Sequence, residues 1–146
     1  MRNIGIAIID DESLVRLGIK SSVAWEEYFY EIVGEADNGQ TGLEMIREKH
    51  PDIVLLDVCM PVMNGIEVLK SLQKLKIQCK VIILSCHDDF CFVKEAMKNG
   101  AFDYLRKNEI NSANILTVLE EVRHSLCKKQ DEGQGGWDSY ARHVCL

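Results

Sequence analysis

Five side chains of this 146-residue chain have the types and positions to do chemistry together: Asp10, Asp11, Asp57, Ser85 and Lys107. Asp57 closes the apolar run Ile53-Val-Leu-Leu56 and opens the loop Val58-Cys-Met-Pro61-Val-Met-Asn-Gly65. Asp10 and Asp11, with Glu12 behind them, follow Ile4-Gly-Ile-Ala-Ile-Ile9. Ser85 ends the apolar run 81–84, and Lys107 stands just past 101–105. Three carboxylates brought into one crevice repel one another unless a cation sits among them. Oxygen ligands without His or Cys select Mg2+ or Mn2+. A carboxylate beside such an ion can also attack phosphorus, because the ion neutralises the phosphoryl oxygens. Ser85 can donate a hydrogen bond to that group, and Lys107 can supply compensating charge. For Asp57 alone, the competing reading is an Asp that only caps the next turn.

The elements that must position these groups follow from the apolar pattern. Unalternating runs of four to six apolar residues read as strands buried on both faces of a parallel sheet. Such runs lie at 4–9, 53–56 and 81–84, and the more mixed segments 30–36 and 101–105 read as two further strands. Between them, apolar residues recur at helical spacing. Leu14, Val15, Gly18 and Ile19 mark a first helix with Ser13 as its cap, and Leu43 and Ile46 a second, stopped by His50-Pro51. Ile66, Leu69 and Leu72 mark a third. Phe92, Val93, Ala96 and Met97 are the inward face of a fourth, preceded by Asp88 and Asp89 and closed by Asn99-Gly100. Ile115, Leu116, Leu119, Val122 and Leu126 belong to a fifth helix over 112–129. The connection Trp25-Glu-Glu-Tyr-Phe-Tyr30 packs its aromatics on the rim of the core. Five strands alternating with five helices predict an α/β, doubly wound parallel sheet. In the order 2-1-3-4-5, strands one and three are neighbours at the switch point, so Asp10, Asp11 and Asp57 meet there.

Composition bounds the rest. With 47% hydrophobic and 27% charged residues the chain reads as one globular domain over 1–129, followed by a flexible tail or truncated linker over 130–146. A net charge of −6 opposes nucleic-acid binding and suits a cation site. Six cysteines (Cys59, Cys79, Cys86, Cys91, Cys127, Cys145) contain no C-x-x-C pair and read as small buried hydrophobes in a reducing compartment. Asp10 and Asp11 come too early for a signal peptide, and no apolar run approaches transmembrane length. These features predict a cytoplasmic protein without membrane association.

Asp10-Asp11, Asp57 with Met60-Pro61, Ser85 and Lys107 occur in the order and spacing of a known family. Over residues 3 to 128 the chain resembles the receiver domains of bacterial two-component response regulators. The segments Ile83-Leu-Ser-Cys-His-Asp-Asp-Phe90 and Lys94-Glu-Ala-Met-Lys-Asn-Gly-Ala-Phe-Asp-Tyr-Leu105, with Trp25, are similar to the branch that often precedes an AraC-type helix-turn-helix domain. The resemblance implies a flavodoxin-like fold and a phosphorylation-activated signalling switch, not an enzyme beyond self-phosphorylation from small donors and self-dephosphorylation. It implies that Asp57 accepts a phosphoryl group from a sensor histidine kinase. Mg2+ would be held by Asp10, Asp11, Asp57 and the backbone carbonyl of Cys59, and Lys107 would pair with the phosphoryl group. Ser85 and Tyr104 would form the switch; taken singly, each reads as a strand-end hydroxyl and a core-edge aromatic. The face near Lys94, Lys98 and Tyr104 would then change partner affinity, by homodimerisation.

Two positions depart from the family pattern. Asn108 follows Lys107 where the family has proline after a cis peptide, and a non-proline cis bond costs about 2.5 to 4 kcal/mol. The chain is therefore expected to be trans there, with the Lys107 ammonium reaching Asp57 less well. His87, two residues beyond Ser85, stands where side chains control water access to the acyl phosphate, or is a surface residue without a role. A phosphatase of the haloacid dehalogenase type is the runner-up, but its Asp-x-Asp nucleophile lies on strand one. A phosphorylation-independent binding module has no use for the full set of acids, Ser85 and Lys107.

Overall fold

A computed structural model describes residues 3–86 and 90–133, with side chains to residue 126. Five parallel strands, β1 (Ile4–Ile9), β2 (Tyr30–Ala36), β3 (Ile53–Asp57), β4 (Lys80–Ser85) and β5 (Asp103–Arg106), lie in the order β2-β1-β3-β4-β5. Five helices connect or follow them: α1 (Ser13–Ser22), α2 (Gly39–Lys49), α3 (Gly65–Lys74), α4 (Phe90–Lys98) and α5 (Ser112–Gly133). Fold class and strand order agree with the sequence reading.

Alternation along β1 shows how both faces of the sheet are filled. Ile4, Ile6 and Ile8 pack with Ile19 of α1 and Ile115, Leu119 and Val122 of α5. Ala7 and Ile9 face the opposite way, among Ile46 of α2, Ile66 and Leu69 of α3, and Ala96 of α4. Side chains on successive strand residues point to opposite faces, so a strand covered on both sides has no polar position to spare. Each fully buried Ile or Leu contributes about 1.5–3 kcal/mol of transfer free energy.

Helix starts follow local polar chemistry. Asn38 caps α2 by accepting from the Thr41 N–H at 2.9 Å. Asn64 and Glu67 form a reciprocal capping box on α3. Gly100, at φ 101°, ends α4 in the left-handed conformation expected of Asn99-Gly100.

Several expectations need correction. Ser13 is not the cap of α1; Glu12 occupies that position and makes no side-chain cap bond, because its carboxylate is drawn to Lys107 instead. Of the apolar residues that mark α1, Leu14 is 80% exposed; Val15 and Ile19 do the packing. On α4 only Ala96 is buried and Val93 partly so, while Phe92 and Met97 are exposed, because no described element covers the outer half of the helix. Cys59, Cys86 and Cys91 are exposed rather than buried, since they sit on loops and a helix start and not in strands. Cys79, at the start of β4, is half-buried, and burial pushes its thiol pKa up to about 11. β5 begins at Asp103 rather than 101, and α5 continues to Gly133 beyond the expected 129. His87, Asp88, Asp89, Cys145 and the tail over 134–146 lie outside the described residues, as does the Cys127 side chain.

Candidate functional site

The site is built from strand ends. β1 and β3 are paired in register, with Ile9 opposite Leu56, so the next residues, Asp10 and Asp57, emerge side by side at the C-terminal edge. Ser85 ends β4 beside Arg106, which ends β5, and Lys107 follows in a short 3-10 turn. Arg16 pins the end of β1 by donating to the Asp10 carbonyl at 2.5 Å while its Nε donates to Glu35 Oε1 at 2.8 Å. Gly65 lets the loop after β3 close tightly: its N–H donates to the Val58 carbonyl, and a Cβ there would stand 2.5 Å from the Asp57 carbonyl oxygen. Val62 in the same loop is at φ 70° and 79% exposed, a strained backbone for a β-branched residue.

Lys107 is the centre of the charges. Its Nζ lies 3.0 Å from Asp10 Oδ2, 3.3 Å from Asp57 Oδ1 and 3.1 Å from Glu12 Oε1. One cation thus faces three acids. The Lys107–Asn108 peptide is trans, as expected, yet the ammonium reaches Asp57 all the same. The expected loss of reach is not seen: with a trans peptide, Nζ still stands within 3.3 Å of Asp57 Oδ1.

Burial together with excess negative charge unsettles the acids. Burial and the charge of Asp10 push Asp57 up to about 7, although Lys107 opposes the shift. Burial likewise raises Asp10, against the Glu12 N–H that donates to its Oδ1 at 2.9 Å and against Lys107. For Lys107, burial alone would lower the pKa; the bond to Asp10 and the charges of Asp57 and Asp10 outweigh it and raise it. The Cys59 N–H donates to Asp57 Oδ1 at 3.4 Å, but Asp57 Oδ2 and Asp10 Oδ2 are buried without a hydrogen bond. Asp10 Oδ2 still has its ion pair with Lys107, whereas Asp57 Oδ2 has no such neighbour.

These oxygens fit a hard divalent cation. Carboxylate oxygens of Asp10, Asp11 and Glu12 lie within 4.8 Å of one another. Asp11 and Cys59 share the lining of a cavity of about 380 Å³ with Met60 and Phe92. Oxygen-only donors, one of them buried and unsatisfied, suit Mg2+ rather than a softer metal. Ser85 is buried at the end of β4, and Tyr104 on β5 is 45% exposed; both border a second cavity, on the α4 side. Glu12 is the residue that sequence reasoning passed over. The signal was present in the run of three acids, but its contact with Lys107 spans 95 positions.

Residues 6–120 match the family model of the response regulator receiver domain. This chain belongs to that family. An uncharacterized response regulatory protein of Staphylococcus epidermidis is 38% identical over 116 residues, 78% of this chain and 45% of the relative. The transcriptional regulatory protein HptR of Staphylococcus aureus is 32% identical over 127 residues, 87% of this chain and 49% of HptR. The chain thus spans about half the length of the relatives it matches. Among solved structures, the receiver domain of AraT, a response regulator of Geobacillus stearothermophilus, superimposes with a TM-score of 0.80 at 30% identity. That match covers 86% of this chain and 97% of the AraT domain. The chain is a receiver domain of two-component response regulators, a signalling module with an acidic pocket of the kind that generally binds Mg2+. Among the described residues, no helix is long and apolar enough to cross a membrane.

Proposed function

We propose that this receiver takes a phosphoryl group on Asp57 from a sensor histidine kinase, in the cytoplasm, and that the acyl phosphate changes the face formed by α4, β5 and α5. The observation that carries the proposal is the placement of Lys107 Nζ against both Asp57 and Asp10, beside a buried Asp57 oxygen without a hydrogen bond. In the transfer, an Asp57 oxygen forms a bond to phosphorus as the P–N bond to the donor imidazole breaks. The electron pair of that bond returns to the imidazole nitrogen. Mg2+, when bound by Asp10, Asp11, Asp57 and the Cys59 carbonyl, supplies the positive charge that neutralises the incoming phosphoryl oxygens.

The protein's own residues do the rest. Lys107 stays paired with the new oxyanion, and Glu12 keeps a second hold on Lys107 before transfer. The Ser85 hydroxyl donates to a phosphoryl oxygen, and the Tyr104 ring turns into the space beside it. Exposed Leu14 and Leu17 on α1, adjoining the acidic edge, offer an apolar surface on which a kinase helix can dock. His87 is assigned a part in admitting water to the acyl phosphate. The receiver occupies residues 1–129, and 130–146 lead toward an output domain of the AraC type that controls transcription, with homodimerisation as the coupling step.

Acetyl phosphate with Mg2+ tests the assignment. Intact-mass measurement is expected to show one added phosphoryl group, lost with chelator and in Asp57→Asn. An unchanged mass for the wild-type chain overturns the assignment, and a phosphopeptide elsewhere relocates the acceptor.

A further inference from the structure

We propose that the cavity between α4 and β5 binds a small amphipathic anion, a fatty or aromatic carboxylate, which holds Tyr104 outward. The cavity measures about 640 Å³, within the range of sites that enclose small molecules. Phe90, Val93, Met97 and the Tyr104 ring give it apolar walls. Phe90 is 75% exposed and Met97 is exposed as well, so this apolar surface has no cover from the described residues. Exposed apolar surface grouped in a concavity marks a binding site more often than scattered exposed residues do.

The charge around the mouth selects the class of ligand. Lys94 and Lys98 lie one turn apart on α4, where like charges repel. Neither is in an ion pair among the described residues. Arg106 approaches from β5, in an exposed contact of 3.9 Å to Glu109. The chain carries a net charge of −6, yet the described residues that line this cavity include three cations and no acid. A carboxylate at the mouth relieves the repulsion between the two lysines, while its apolar body covers Met97 and the Tyr104 ring. A neutral ligand of the same shape does only the second.

The regulatory part rests on the receiver reading. The cavity is the space beside Ser85 into which Tyr104 turns on phosphorylation, so an occupant opposes that movement. By reciprocity, the phosphorylated state must bind the occupant more weakly by the same factor.

Decanoate and decanol, titrated into the full chain by calorimetry and by NMR shift mapping, test the proposal. The expected result is saturable one-site binding of decanoate, with shifts centred on residues 93–98 and 104–106 and a preference over decanol of about tenfold. Lys94→Gln with Lys98→Gln should erase that preference, and Met97→Trp, which fills the cavity at an exposed position, should abolish binding of both. Absent saturation, equal affinity for decanol, or shifts on another face overturn the site. With beryllofluoride and Mg2+ the decanoate affinity should fall by about tenfold. An unchanged affinity in a chain that acetyl phosphate does label overturns the regulatory part. A chain that binds decanoate but is never labelled keeps the site and overturns the phosphoacceptor assignment of Asp57 instead.

Discussion

At the β2 edge of the sheet Tyr30 is fully buried, whereas at the β5 edge Tyr104 is 45% exposed. Trp25 meets Tyr30 edge-on, with ring centroids 6.3 Å apart, and Arg123 of α5 lies 4.4 Å over the ring. The Tyr30 hydroxyl donates to Glu120 at 2.9 Å, Trp25 donates to the Lys20 carbonyl at 2.9 Å, and Arg123 donates to the Tyr28 carbonyl. Burial raises the Tyr30 pKa, so the ring stays neutral and its proton remains available for that bond. Among the described residues nothing of the kind holds Tyr104, whose neighbouring helix α4 buries only Ala96 fully. Both edges carry a tyrosine on an outer strand, but one is tied by Trp25 and by two residues of α5 and the other borders an open cavity. Regions with few buried contacts open at low free energy, and moving parts are drawn from them. The fold has thus concentrated its rigidity at one edge and left the other able to rearrange.

The largest expected effect separates the edges by stability. Tyr30→Ala should cost about 4 kcal/mol, for the ring volume and the lost hydrogen bond, while Tyr104→Ala should cost less than about 1 kcal/mol. Urea unfolding of both variants decides it, and equal costs would erase the contrast. Mg2+ acts at the strand ends between the two edges. At a hundred times its dissociation constant it should add about 2.7 kcal/mol to unfolding. Asp11→Ala should reduce that gain without weakening the metal-free protein, and identical melting curves with Mg2+ and with chelator would remove the ion from the account. Val62→Gly should relieve backbone strain in the loop after β3 and raise stability by about 1 kcal/mol; a loss would show that its side chain has a partner in the folded state.

The smallest effect belongs to the ion pairs that fasten β2 to α1. Hydrogen bonds from Lys20 and Arg16 hold the Glu35 carboxyl below its usual 4.5. A lowered folded-state pKa means that this contribution is fully present above the unfolded value and is lost as pH falls through the folded one. Glu35 is exposed, so solvent screening keeps the contribution below about 1 kcal/mol. The stability difference between wild type and Glu35→Gln should therefore be constant above pH 5 and shrink below about pH 4. A difference that persists at pH 3 would assign the effect to packing rather than charge.

How much of this protein its sequence determines by itself depends on the range of the interactions involved. The strands, their order and the placing of Asp10, Asp57, Ser85 and Lys107 at one edge were legible, because strands buried on both faces require unbroken apolar runs and the polar residue that ends each run marks the edge. The helix end at Asn99-Gly100 depends on neighbours within a few positions and was equally readable, whereas the caps at Asn38 and Asn64 emerge only in the structure. Helical spacing identified Leu14, Phe92 and Met97 as apolar but could not tell whether another element covers them; the tertiary structure leaves all three exposed. The engagement of Glu12 with Lys107, and the reach of Lys107 to Asp57 despite Asn108, join residues far apart in the chain. Such contacts are set by where the sheet places its strand ends, a property of the assembled fold that no local run of residues encodes.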